Sequence, residues 1–177
     1  MKRSIILIAT LCALIFPMAY SNAQTSDAST ITPADVELSL NIARNILKAA
    51  SGIANDFADF KGDFVRKSDS GNSWYMAKGL EMGTGLQYVI VRPNGGVSYA
   101  VIFNPKDESD KTPLIAFTAF VGGIITIRQN DDITVEQDPA GTQGTTIKYF
   151  LKAKDIKVAS FSFDTGTKSG TLLVAIQ

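Results

Sequence analysis

An α+β fold, one long N-terminal helix and a shorter mid-chain helix packed on antiparallel sheet, follows from three observations. Thr32 to Phe60 carries a continuous apolar stripe at helical spacing. Nearly everything after it alternates with period two between Gly, Asn and Asp turns. The uncharged stretch Thr112 to Val121 interrupts those strands with a second helical spacing. A lone sheet made from the strands has an apolar face in need of cover, and the helices supply it.

The chain has 177 residues, 45% of them apolar and 19% charged, which suits one globular domain with a real core rather than a disordered chain. Lys+Arg and Asp+Glu balance at 17 each. Without a basic excess there is no electrostatic footprint for nucleic acid, and no polybasic patch for an anionic membrane surface.

Residues 1–23 have the form of a signal peptide. Lys2 and Arg3 precede the apolar run Ile5 to Met18, and Ser21-Asn22-Ala23 offers small residues for cleavage before Gln24. Cleavage leaves no stable membrane span. It also removes Cys12, the single cysteine, whose preceding Leu11 argues against lipid attachment. The mature chain then has no disulfide to rely on, which fits export to a bacterial periplasm or beyond. Residues 24–31 are polar and read as a flexible leader, and 32–177 as a single α+β domain.

That domain opens with Thr32 as helix cap, Pro33 at the first helical position and Asp35 in the first turn. Val36, Leu40, Ala43, Leu47, Ala50, Ala54 and Phe57 then recur at steps of four and three, and Ile42, Ile46, Ile53 and Phe60 widen the stripe. Ser51-Gly52 marks a bend and Lys61-Gly62 the end. Strands follow at Ser73 to Gly79, Leu86 to Arg92 and Val97 to Phe103, the last two around Pro93-Asn94-Gly95-Gly96. A two-residue turn at Asn94-Gly95 pairs Ile90 with Tyr99 and Tyr88 with Val101. It puts Leu86, Tyr88, Ile90, Tyr99, Val101 and Phe103 on the helix-facing side, with Val89, Val91, Ser98 and Ala100 on the other.

The stretch 113–121 fits helix or strand, and a short buried helix is the preferred reading. Further strands are expected at Ile124 to Arg128, Ile133 to Gln137, Thr145 to Lys152, Lys157 to Phe163 and Gly170 to Ile176. Phe161, Phe163, Leu172, Val174 and Ile176 are the core candidates of the last hairpin.

The halves 32–103 and 112–177 echo each other as a possible α-βββ-α-βββ pseudo-duplication. Each starts with Thr-Pro, continues through Phe-x-x-Phe-x-Gly (Phe57, Phe60, Gly62 and Phe117, Phe120, Gly122), and enters a strand through Gly71 to Trp74 or Gly144 to Ile147.

The chemistry is mostly exclusion. With no histidine and no mature cysteine, the chain lacks Ser-His and Cys-His nucleophile pairs, thiolate chemistry and the usual zinc ligands. Asp107, Glu108 and Asp110, or Asp131 and Asp132, lack regular calcium-loop spacing and read as solvated turns. No cofactor and no catalytic or metal residue is expected. Phe57, Phe60, Trp74, Tyr88 and Tyr99 are the candidate ligand or partner residues. The leading expectation is an exported, non-enzymatic binding or interaction module of the bacterial cell envelope. It would be periplasmic or secreted and hold a partner protein, or a small apolar or glycan ligand, near the helix–sheet interface. The alternative is a hydrolase acting on glycans with carboxylates alone, which requires two acids in one cleft, one with a raised pKa.

Overall fold

A computed structural model describes residues 31–127, 132–140 and 143–176. The expected signal peptide and most of the leader lie outside the described residues. Helix α1 spans Pro33–Ser51 and starts as the sequence predicts. The Thr32 hydroxyl accepts from the Asp35 amide, and the Asp35 carboxylate accepts from the Thr32 amide, closing a capping box.

The stripe was expected to stay helical to Phe60, but α1 ends at Ser51. A 3-10 turn, Gly52–Asn55, follows, then two residues in the left-handed region, Asp56 (φ 53°) and Phe57 (φ 56°), and a second short turn, Ala58–Phe60. The reversal has a packing cause. A Cβ on Gly52 would stand 2.6 Å from Cε2 of Phe60, so glycine lets both phenylalanines fold back against the end of the helix. The apolar spacing is therefore kept while the backbone leaves the helix.

The chain runs straight on into a strand that the sequence analysis does not anticipate, β1 (Lys61–Lys67), followed by β2 (Ser73–Ala77), β3 (Leu86–Val91) and β4 (Val97–Phe103). The preferred reading of 113–121 holds: α2 spans Thr112–Thr118 and continues through a π-helical turn, Ala119–Gly123, into α3 (Ile124–Ile127). The strand expected from Ile124 is thus helix. A Cβ on Gly123 would lie 3.1 Å from that of Ala43, so this glycine serves close approach to α1 rather than a hairpin turn. The chain ends with β5 (Ile133–Gln137), β6 (Thr146–Ala153), β7 (Ile156–Asp164) and β8 (Ser169–Val174). Because β8 stops at Val174, Ile176 is 69% exposed and not in the core.

All eight strands form one antiparallel sheet in the order β1-β2-β3-β4-β8-β7-β6-β5. Among the described residues each half contributes four strands, not three. The start of β2 at Gly71 to Trp74 does match the start of β6 at Gly144 to Ile147. Gly62, however, lies in a strand and its counterpart Gly122 in a helix. The sequence echo therefore remains a resemblance of pattern, and a duplication is not established.

The β3–β4 hairpin is shifted by one residue from the expected register, with Val91 opposite Val97 and Val89 opposite Tyr99. Pro93 is the reason. In the expected turn Pro93 would flank Asn94-Gly95 opposite Gly96 and would have to donate a backbone N–H it lacks, whereas its fixed φ suits the first central position of an ordinary turn. The loop closes instead through Gly95 N–H to the Arg92 carbonyl and Arg92 N–H to the Gly96 carbonyl, with Gly95 at φ 84°. A one-residue slip turns every side chain of β3 over. Val89 therefore joins the core, while Leu86, Tyr88 and Ile90 go to the far side.

One apolar core lies between the helices and the sheet. Ile42, Ala43, Ile46 and Ala49 of α1, with Ala116, Phe117, Phe120 and Ile124 of the second helical segment, meet Tyr99, Val101, Phe103, Phe161, Leu172 and Val174. Ring contacts tie it together, with Phe161 within 6 Å of Phe103, Phe117 and Phe120. The described helices all pack on this one face.

Candidate functional site

The five residues singled out from sequence fall into two groups on opposite faces of the sheet. Phe57 stacks on Tyr99 at 6.2 Å and 24°, and Phe60 meets the same ring edge-on at 6.2 Å. All three are buried, and the Tyr99 hydroxyl donates to Oε1 of Gln87 at 2.6 Å. Burial drives the Tyr99 pKa upward. These rings fill the junction between the end of α1 and the sheet, so that part of the helix–sheet interface is occupied by the protein itself.

Trp74 and Tyr88 lie on the other, open face. Their rings meet edge to face at 5.3 Å and 75°, and both side chains are half-buried. Trp74 starts a cross-strand row with Ile90 and Ser98. The next row runs from Met76 through Tyr88, Ala100, Leu173 and Ser160 to Phe150. Ile90, Ala100, Phe150 and Ala175 are buried yet do not belong to the helix-side core. Ser98, Ala100 and Ser160 are the small residues of the face, with Leu173 between the last two.

Two polar atoms on this face are orphaned. Ser98 is 1% exposed and its Oγ has no hydrogen-bond partner, and neither has the buried Nε1 of Trp74. Both sit on the Trp74–Ile90–Ser98 row. Each unsatisfied buried group costs about 1–3 kcal/mol. Cations frame the same face at both ends. Arg66 lies over the Trp74 ring with Cζ at 5.0 Å, and Lys148 and Lys157 stand over Phe150 with Nζ at 4.8 and 3.7 Å. Lys148 pairs with Asp138 and Lys152 with Glu136. Neither Arg66 nor Lys157 forms an ion pair with a described residue.

Sequence reasoning found Trp74 and Tyr88 but missed their surroundings. With β3 placed one residue out, Tyr88 and Ile90 read as core, and the row through Ala100 and Ser160 could not be assembled. Pro93 was the available clue.

The acids are arranged differently. Asp107 accepts from Ser109, and Asp110 accepts from the amides of Lys106 and Thr112 and from the Thr84 hydroxyl, pinning the loop that leads into α2. The Ser109 hydroxyl lowers the Asp107 pKa. For Asp110, burial pushes upward but the hydrogen bonds from Thr112, Lys106 and Thr84 leave it lowered. Glu136 is lowered by Lys152, and Asp164 by the Thr167 amide. Each carboxylate with a resolved shift is thus stabilised as the anion, the reverse of what a general acid on a glycan needs. Asp131 lies outside the described residues. Among the described residues no group of three or more His, Cys, Asp or Glu is placed to hold a metal ion, and no described helix is long and apolar enough to cross a membrane.

Comparison with known protein families, with curated proteins and with solved structures finds no match for the chain.

Proposed function

We propose that this chain is an exported, non-enzymatic binding module of the bacterial cell envelope whose contact surface is the open face of the sheet. The observation that carries the reading is an asymmetry. The described helices cover one face, while the other keeps a half-buried Trp74–Tyr88 pair and two buried polar atoms without partners. Soluble domains rarely leave an aromatic and apolar sheet face uncovered unless it meets something. The helix–sheet interface, first expected to hold the ligand, is the weaker choice because Phe57, Phe60 and Tyr99 occupy it. Export is supported by the order of charge, apolar run and small residues from Lys2 to Ala23.

Hydroxyl-radical footprinting tests the surface directly. Oxidation of Trp74, Met76 and Tyr88 should fall when the purified protein is mixed with a native envelope extract, while Phe57 and Phe60 stay unreactive throughout. Unchanged labelling of the three open-face residues would remove the surface from consideration. Fractionation with N-terminal sequencing tests the export half, which requires a mature chain beginning at Gln24.

A further inference from the structure

The chemistry of the open face narrows what it takes. We infer that it binds an acidic polysaccharide, a sugar chain carrying carboxylates, laid across the strands from Trp74 toward Phe150. The inference rests on the reading that this face is the contact surface and goes further by naming the occupant.

Aromatic and hydroxyl-bearing side chains share the face. Trp74 and Tyr88 present ring surface, and the more accessible hydroxyls of Ser162 and Thr171 project to the same side by strand alternation, while Ser98 and Ser160 lie buried beneath. Sugars use both kinds of contact, with C–H faces on aromatic rings and hydroxyls on polar side chains. Trp74 on β2 and Phe150 on β6 are separated by five strand spacings, about 24 Å, which requires an extended polymer rather than a single sugar.

The orphaned atoms add a direction. Trp74 Nε1 can only donate, and Ser98 Oγ can donate, so the missing partner offers oxygen acceptors. The charges add a sign. Arg66 beside Trp74 and Lys157 beside Phe150 form no ion pair with a described residue, one at each end of the track, although the Lys157 charge also acts on Glu136, which lies opposite Phe150. A carboxylate on a bound sugar chain meets both.

The chain contains a single tryptophan, so its emission reports this face and no other. The full mature chain is titrated at low salt with polygalacturonate, with dextran as a neutral glycan and with poly-glutamate as an acidic peptide. Polygalacturonate should change the emission saturably, dextran more weakly and poly-glutamate least. Tyr88→Ala should weaken polygalacturonate binding about tenfold. Arg66→Gln and Lys157→Gln should each weaken it about threefold and flatten its salt dependence. Circular dichroism checks that each variant is folded. Because Tyr88→Ala removes a half-buried ring, the two charge variants keep the test alive if that variant unfolds.

Poly-glutamate binding as tightly as polygalacturonate would overturn the sugar assignment in favour of an acidic peptide. Equal binding of dextran would overturn the role of charge. If polygalacturonate gives no saturable change while the envelope extract still protects Trp74 from oxidation, the glycan class fails and the contact surface stands. If both fail, the surface itself is wrong.

Discussion

Tyr99 and Ser98 are neighbours on β4, and they report the two faces of one sheet. Tyr99 points to the helices, where Phe57 and Phe60 enclose its ring and Oε1 of Gln87 accepts the hydrogen bond from its hydroxyl. Ser98 points the other way, equally buried, and its hydroxyl has nothing. On the first face size, burial and hydrogen bonding agree. On the second they conflict, and such conflicts within an otherwise consistent fold concentrate where a protein works. The difference teaches where to look for the function: stability is built on the covered face, and recognition is proposed for the open one.

The largest effect should come from Phe161, which lies at the centre of the covered face against Phe103, Phe117 and Phe120. Phe161→Ala should cost about 3–5 kcal/mol in urea unfolding, the sum of lost burial and an unfilled cavity. Leu173 is its counterpart on the open face, half-buried on the strand beside it. Leu173→Ala should cost about 1 kcal/mol or less. Equal costs for the two would break the comparison, because they would mean that the open face is also core.

A smaller effect sharpens the covered face at its weakest point. Gly52→Ala places a methyl 2.6 Å from the Phe60 ring and 3.1 Å from that of Phe57. Neither ring has free space, since both rest on Tyr99, so the change should cost about 1–3 kcal/mol through overpacking. Glycine-to-alanine at the end of a helix is otherwise stabilising. A rise in melting temperature would show that the two phenylalanines are not fixed by this contact.

Much of the fold was legible because it is written in local terms. Thr32, Pro33 and Asp35 specify a helix start by hydrogen bonds within four residues, and the strands from Ile133 onward alternate clearly enough to place within a residue or two. What escaped depends on contacts between distant parts. β1 is an edge strand with irregular register and exposed Phe64 and Val65, so it has no alternation to read. The end of α1 is decided by Phe60 folding back on Gly52, and the helical course of Ile124 by Ala43 across the helix pair. The open face was lost for a narrower reason: a single proline in the hairpin moved β3 by one residue, and with it half of the surface.

Ser98→Ala tests the conflict on the open face. Removing a buried hydroxyl without a partner relieves its desolvation penalty, so the variant should be more stable by about 1 kcal/mol. The same change should weaken ligand binding, an opposition that a purely structural serine does not produce. Destabilisation instead would mean that the hydroxyl is already satisfied, and the open face would lose one of its two pointers to a ligand.

Acid should separate the two faces most gently. The Thr32 amide holds the Asp35 carboxylate below its ordinary pKa, burial opposes this, and the Thr32 hydroxyl and Lys111 add to the lowering. A carboxylate depressed in the folded state contributes its full stability above its unfolded pKa of 3.8 and loses it as pH falls through the lower folded value. The contribution belongs to α1, which covers only the helix-side face, and a cap of this kind is worth about 0.5–1 kcal/mol. Between neutrality and pH 3, hydrogen-exchange protection, corrected for the intrinsic pH dependence of amide exchange, should therefore fall in the first turns of α1 before it falls in β3 and β4. Asp35→Asn should remove most of that dependence while leaving stability on the acid side nearly as in the parent. If the central strands loosen first, the acid-sensitive element lies on the open face, and Asp35 does not control how the covered face comes apart.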